Sequence, residues 1–493
     1  MPTYIERLVA ILAGMGDRPC LRHEDRDVQA SALLSRIHRL ARALDALHVG
    51  RGDLVAIFAS NHPDALALRY AANLVGAAAT FLSDAGTPDT RAQLVRTLEP
   101  KLLVVLPATA HLAPPDTAAT LAGLGIAPAG GLDLQAAAAA QPDGAFACRA
   151  RPDDLAVIVS SGGSTGVPKG SWRTFATYGA MVSVPSPTDR RQLVNGPLAY
   201  LSQVLVDMTL LGGGTVVLRE RCDPVDTAAT IEAEGITDLF LVEPQLFELM
   251  DHPRLASADL SSLRTVSHIG ASAPPTLRRR AHERFGPRVV HTYGASEMGL
   301  VSLSAAAEDD TVSAGHLLPS VALRLRRPDG TLASDGEIGS IEVRSPAMAQ
   351  GYRHRPDLEA AAFEGGWYRS GDLGRLMEDG RLQIFGRAVD IDFVDGRMVS
   401  PTLIEDGLLQ RLPALRSVTL VREGDGWVAL LLSRPGQRVE AGDCIAAIAD
   451  AHGASVARSV RLLFGDAVPL TPQGKPDREA IRSIGALGRA IPG

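Results

Sequence analysis

Cysteine is scarce in this 493-residue chain: Cys20, Cys148, Cys222 and Cys444 are widely scattered and form no CxxC pair or Cys/His cluster at zinc-ligand spacing. That excludes a disulfide scaffold and a structural zinc site, and predicts a reduced, cytoplasmic protein. Long apolar runs are missing too. Nothing approaches the roughly 18 residues needed to cross a bilayer, so no membrane insertion is expected. The stretch Leu8–Gly16 follows Arg7 but lacks a basic start and leads into the charged run Arg22–Asp27, which predicts a buried helix rather than a secretory signal. There is no block of one charge sign either, because the formal net charge of −7 comes from interspersed acids and bases. Nucleic acid and anionic membrane are therefore not expected partners.

What is present is ordinary globular composition, 46% hydrophobic and 21% charged, in a chain long enough for two or more domains. Ala32–Leu47 has the periodicity of an amphipathic helix, Asp53–Phe58 reads as a buried strand, and Asp64–Ala72 as another helix. This α/β rhythm runs to about Val105 and resumes with an apolar strand at Leu155–Val159. Between them, Pro107–Arg151 is alanine-rich with weak periodicity and predicts surface helices and loops. Past Gly330, Pro328-Asp329-Gly330, Asp335-Gly336, Asp379-Gly380 and Asp395-Gly396 mark turns between short antiparallel strands. From about Val394 the pattern predicts a small α+β domain, with helices at Pro401–Leu412 and Ala441–Ala451 and strands at Ser417–Val421, Trp427–Leu432 and Val460–Phe464.

Chemistry enters at Ser160–Gly170, which reads SSGGSTGVPKG directly after a predicted strand. Its glycines let backbone N–H groups approach phosphate oxygens, while hydroxyls and one ammonium offer further donors. The ordinary P-loop pattern does not fit, because Pro168 precedes Lys169 and Gly170 follows it. Taken alone, such a segment is also compatible with a surface turn. Four more motifs follow in order: His291–Glu297 (HTYGASE), Trp367–Asp372 (WYRSGD), Gly386–Asp390 (GRAVD) and Pro469–Arg478 (PLTPQGKPDR).

Together these resemble the motifs of the adenylate-forming superfamily, which includes acyl-CoA synthetases, aryl-acid ligases, peptide-synthetase adenylation domains and luciferases. The resemblance implies an α/β fold with α+β parts. A large N-terminal AMP-binding domain of mixed sheets flanked by helices, with a β-rich subdomain, would span 1–386. A hinge would follow at 387–393 and a small mobile α+β domain at 394–493. By the same resemblance, ATP would be bound by Ser161, Gly163, Ser164, Thr165, Gly166 and Lys169 of the loop, and by Gly270, Ala271 and Ser272 beside the adenine. His291, Tyr293, Ser296, Asp372 and Arg387 would complete that site, with Tyr293 stacked on adenine, Ser296 at the α-phosphate and Asp372 on the ribose hydroxyls. Glu297 would hold Mg2+, Asp390 would be the pivot, and Lys475 would be the catalytic cation. The activity implied is formation of an acyl adenylate from a carboxylic acid and ATP, then transfer of the acyl group to the thiol of CoA or of a phosphopantetheinyl carrier protein.

Two departures bear on substrate. Gly162 stands where the family pattern has serine, as in aryl-acid ligases, and Ile391-Asp392-Phe393-Val394-Asp395-Gly396 replaces Gln-Ile-Lys-Ile-Arg-Gly. The second change removes two basic positions, which bears on how a thiol donor is held and leaves open a chain that performs only one half-reaction. Tyr200 falls near the aspartate that amino-acid-activating members keep for the substrate ammonium, so an acid without an α-amino group is expected. Tyr200, Ser202, Gly294 and Met298 are the expected pocket residues. A non-catalytic nucleotide-binding module is the reading from another class, and the joint presence of Lys475, Glu297 and Asp372 disfavours it.

Overall fold

The computed structural model describes residues 2–162, 168–269, 273–304, 312–394, 396–471 and 473–487. Leu54–Phe58, Ala78–Leu82 and Leu102–Val105 are fully buried apolar strands that pair in parallel. Strands buried on both faces need continuous hydrophobic runs, which is how these segments read. The connecting helix Pro63–Leu74 is buried along nearly its whole length, while Ala30–Ala46 keeps one polar face. Tyr4–Met15 is a helix that buries Leu8 and Leu12, in line with the expectation for that apolar stretch.

Among the described residues these strands belong to an eight-stranded sheet, and a nine-stranded sheet lies beside it. One core cluster runs from Tyr4 to Leu218 and joins helices with strands of both sheets. The segment 107–151 departs from expectation. It supplies the last two strands, Thr120–Gly123 and the edge strand Leu132–Asp133, to one side of the eight-stranded sheet. Thr120–Gly123 pairs with Leu102–Val105, Leu132–Asp133 pairs with Thr120–Gly123 in turn, and such short strands carry no alternation that a sequence could display.

A buried polar node ties the helices together. Arg69 and Asp207 are both fully buried, their closest atoms lie 2.8 Å apart, and the hydroxyls of Tyr70 and Tyr178 each donate to Asp207 at 2.5 Å. The carboxylate is thereby hydrogen-bonded from several sides, which is the condition for keeping a charge in an apolar interior.

The antiparallel region contains a five-stranded sheet, whose long strand Trp367–Leu376 pairs with Leu382–Arg387 and aligns Asp372 with Arg387. Beyond it, Leu415–Glu423 and Gly426–Ser433 form a hairpin that Val460–Phe464 joins in parallel, with Pro401–Arg411 and Ala441–His452 as helices. This C-terminal unit docks on the rest through apolar residues. Val421, Leu430, Leu432 and Ile481 share a core cluster with Leu246 and Phe247.

Candidate active site

The strands Leu155–Gly162 and Pro168–Thr174 are the legs of an antiparallel hairpin, with Ser161 opposite Lys169 and Gly162 opposite Pro168. The described residues on either side of the glycine-rich segment thus pair as antiparallel strands, unlike the strand and helix that flank a P-loop. Gly163, Ser164, Thr165 and Gly166 lie outside the described residues, as do Gly270, Ala271 and Ser272. Lys169 carries the loop's charge inward. Its Nζ lies 3.3 Å from Glu297 Oε1, and Tyr352 Oη accepts from Lys169 and donates to Glu297, both at 2.9 Å.

Glu297 is buried in the turn between Val289–Ala295 and Gly299–Leu303. The turn starts at a bulge after Tyr293, where a Cβ on Gly294 would approach the Gly299 carbonyl to 2.6 Å. Only glycine fits that approach. Two neighbours pin the backbone: Arg173 donates to the Ser296 carbonyl at 2.6 Å, and the Ala349 N–H donates to the Glu297 carbonyl at 2.7 Å. Arg173 is fully buried and also donates to the Ala347 carbonyl at 2.8 Å. Burial lowers its pKa to about 10, with Glu297 opposing, so the guanidinium keeps its charge at neutral pH.

Tyr293 donates to Asp372 Oδ2 at 2.5 Å, and Arg387 Nε lies 3.2 Å from Asp372 Oδ1. Asp372 is buried, which pushes its pKa upward against the pull of Arg387. Lys475 arrives from the C-terminal unit on a tight turn in which Thr471 N–H donates to the Lys475 carbonyl at 2.7 Å. Gly474 allows that turn, since its φ is +77° and a Cβ would meet the Gln245 side chain at 2.9 Å. Burial pushes the Lys475 pKa down, as does the Arg387 charge, while Glu297 and Asp372 oppose the shift. Three cations and two carboxylates from five separate segments therefore converge.

Other candidates have different surroundings. Tyr200 breaks the helical backbone of Leu198–Ser202, with φ −121° and ψ −137°. Burial pushes the pKa of its hydroxyl upward, with Ser83 and Gln473 opposing the shift. Ser202 is buried, and Met298 sits in a hydrophobic cluster with Val301, Ile341 and Tyr368. His291 is buried with its Nδ1 3.4 Å from that of His268, and its ring centroid lies 5.6 Å from that of His282. Burial and the nearby Arg278 hold His268 down at about 3 and push His291 lower still, so both are neutral. Asp390 is buried in a single helical turn and pairs with Arg478.

Residues 10–353 match the AMP-binding enzyme family. The chain belongs to that family. Among curated relatives, the medium/long-chain-fatty-acid–CoA ligase FadD8 of Mycobacterium tuberculosis is 29% identical over 98% of this chain and 90% of its own. A feruloyl-CoA synthase of Amycolatopsis is 32% identical, covering 92% and 93% respectively. Among solved structures, the amide bond synthetase McbA of Marinactinospora thermotolerans superposes with a TM-score of 0.87 at 29% identity, over 97% of this chain and 99% of that one.

In this AMP-binding enzyme, Tyr352, Arg173 and His268 escaped the sequence reading. Tyr352 follows Gly351 on a two-residue strand paired with Ser171 and Trp172. Its only signal was proximity to the charged run Arg353–Arg355. Arg173 lies four residues after Lys169, and an arginine in a strand reads as a surface charge until tertiary burial is known.

Proposed function

We propose that this AMP-binding enzyme activates a carboxylic acid without an α-amino group as its acyl adenylate, using Lys475, Lys169, Arg387, Glu297 and Asp372. The chain is an adenylate-forming acid–thiol ligase of the acyl-CoA synthetase kind, with ATP and CoA as co-substrates. The convergence of Lys475 with the Glu297 and Asp372 carboxylates is the observation that carries the residue assignment. In the first step a carboxylate oxygen attacks the α-phosphorus, a new P–O bond forms and pyrophosphate leaves. Negative charge grows on the α-phosphate and on the leaving group, where preorganised cations lower the barrier. In the second step a thiolate attacks the acyl carbonyl carbon and the bond to AMP breaks, the thiol proton having gone to solvent.

Mg2+ suits the donor set. Among the described residues no group of three or more His, Cys, Asp or Glu could cage a metal. A single carboxylate such as Glu297 combined with nucleotide phosphates is the usual way this cation is held. It would neutralise phosphate charge. The domain reading is 1–386, a hinge at 387–393 with Asp390 as pivot, and 394–493. Support comes from the Asp390–Arg478 pair and from the separate sheet of the C-terminal unit. A cytoplasmic site of action is supported by four unpaired cysteines. No helix among the described residues is long and apolar enough to cross a membrane.

One observation favours a second acceptor. After the hinge, the hairpin strands Asp392–Val394 and Arg397–Val399 present Phe393, 62% exposed, while Asp392 is held by Arg422 at 3.0 Å. An exposed phenylalanine offers no charge to CoA phosphates, and the likeness to an amide bond synthetase supports an amine as acceptor in place of the thiol. A carrier protein would present the same thiol arm without those phosphates. The test is a carboxylic-acid panel read by pyrophosphate exchange, followed by CoA, a phosphopantetheinylated carrier or amines offered to the adenylate, with products weighed by mass spectrometry. A CoA thioester is the expected product. An amide or loaded carrier without CoA product would replace the acceptor, and no exchange with any acid would sink the adenylation reading.

A further inference from the structure

We propose that Tyr352 is a positioning residue that orients Glu297 for the cation accompanying the nucleotide, an inference that rests on the adenylation reading above. Its hydroxyl sits in a closed ring of contacts: Lys169 to Tyr352 at 2.9 Å, Tyr352 to Glu297 at 2.9 Å, and Lys169 to Glu297 at 3.3 Å. When a polyphosphate draws Lys169 away, the Lys169–Glu297 contact is broken. The Tyr352 hydroxyl is a neutral donor that can stay.

The surroundings leave the Glu297 side-chain torsions as the freedom still to be fixed. The carbonyls of Ser296 and Glu297 are already held, by Arg173 at 2.6 Å and by the Ala349 N–H at 2.7 Å. A carboxylate with a pinned backbone and one oxygen hydrogen-bonded by Tyr352 is confined to a narrow range of directions. Groups one step behind a metal ligand typically change metal affinity or activity by about 10–100-fold when removed. Tyr352 itself is fixed by its edge-on contact with Phe363, ring centroids 5.5 Å apart, and by the pairing of its strand with Ser171. Strand register thus sets the position of a hydroxyl next to the loop lysine and the signature glutamate at once.

The test is Tyr352→Phe, which removes one oxygen and keeps the ring packing. Calorimetric titration of ATP, with and without Mg2+, gives the cation-dependent gain in affinity, and thermal melts run in parallel. We expect that gain to shrink about tenfold at nearly unchanged Tm, with kcat of pyrophosphate exchange falling and KM for the acid retained. A gain within twofold of the parent, or an equal loss of ATP affinity with and without Mg2+, overturns the inference. Glu297→Gln separates it from its premise: if that variant keeps the gain, the assignment of Glu297 itself fails. If Glu297→Gln loses the gain and Tyr352→Phe keeps it, the positioning role alone is wrong.

Discussion

Lys475 and Asp207 show how differently two charged side chains can serve one protein. Lys475 faces the site with its charge opposed by Arg387 and supported by Glu297 and Asp372, an arrangement that gains most when phosphate charge develops. Lys475→Ala is expected to slow pyrophosphate exchange by about 10²–10³-fold while acyl transfer from a synthetic adenylate changes far less. Equal losses in both assays would contradict its assignment to the first step. Asp207 neutralises the fully buried Arg69 in the helical core. Removing one partner of such a pair leaves a buried charge alone, so Asp207→Ala is expected to cost about 3–5 kcal/mol in urea denaturation. A loss below about 1 kcal/mol would mean that the node relaxes or takes in water.

At the scale of elements, the helix Pro275–Phe285 begins after Pro274, which offers no side-chain cap. The cap comes from another part of the chain: Asp406, on the helix Pro401–Arg411, accepts from Thr276 N–H at 2.7 Å. An acidic group at that helix end also meets the positive end of the helix dipole. Loss of a cap typically costs about 1 kcal/mol, so Asp406→Ala is expected to weaken docking of the C-terminal unit and speed proteolysis in 387–393, with Asp406→Asn near the parent. The active-site elements follow the same rule. The hairpin 155–174, the 289–303 turn and the paired strands holding Asp372 and Arg387 each bring one or two groups, and none contains a site by itself.

Across the whole molecule, two buried clusters respond to pH in opposite directions. Folded His268 titrates near 3 against an ordinary 6.5, because of burial first and Arg278 second. Its contribution to stability is therefore present above about 6.5 and lost as pH falls towards 3. Glu405 of the C-terminal unit and Glu243 of the nine-stranded region are both pushed above the ordinary 4.5, by burial first, and each raises the other or is raised by nearby acids. Their contribution is present below 4.5 and lost as pH climbs through the raised values. Urea midpoints measured against pH are expected to fall on both sides. His268→Gln should flatten the acid limb and Glu405→Gln the alkaline limb, and a limb unaffected by its own substitution would remove that cluster from the account.

Much of the site was legible because its residues lie in short motifs whose order is a property of the chain. Lys169, Glu297, Tyr293, Asp372, Arg387 and Lys475 were each singled out by the resemblance of their motifs to those of a known family, and the C-terminal strand Val460–Phe464 by its apolar run. The sheet strands within 107–151 and the trans cap by Asp406 were not legible, since each depends on a partner outside its own segment. The sequence alone determined which side chains could bind a polyphosphate and in what order they occur. Only the tertiary structure decided that Tyr352 stands between Lys169 and Glu297, and that Arg173 is a buried brace rather than a surface charge. The physical reason is that burial and hydrogen-bond partners are set by pairing across the sheet, and the local chain carries no record of them.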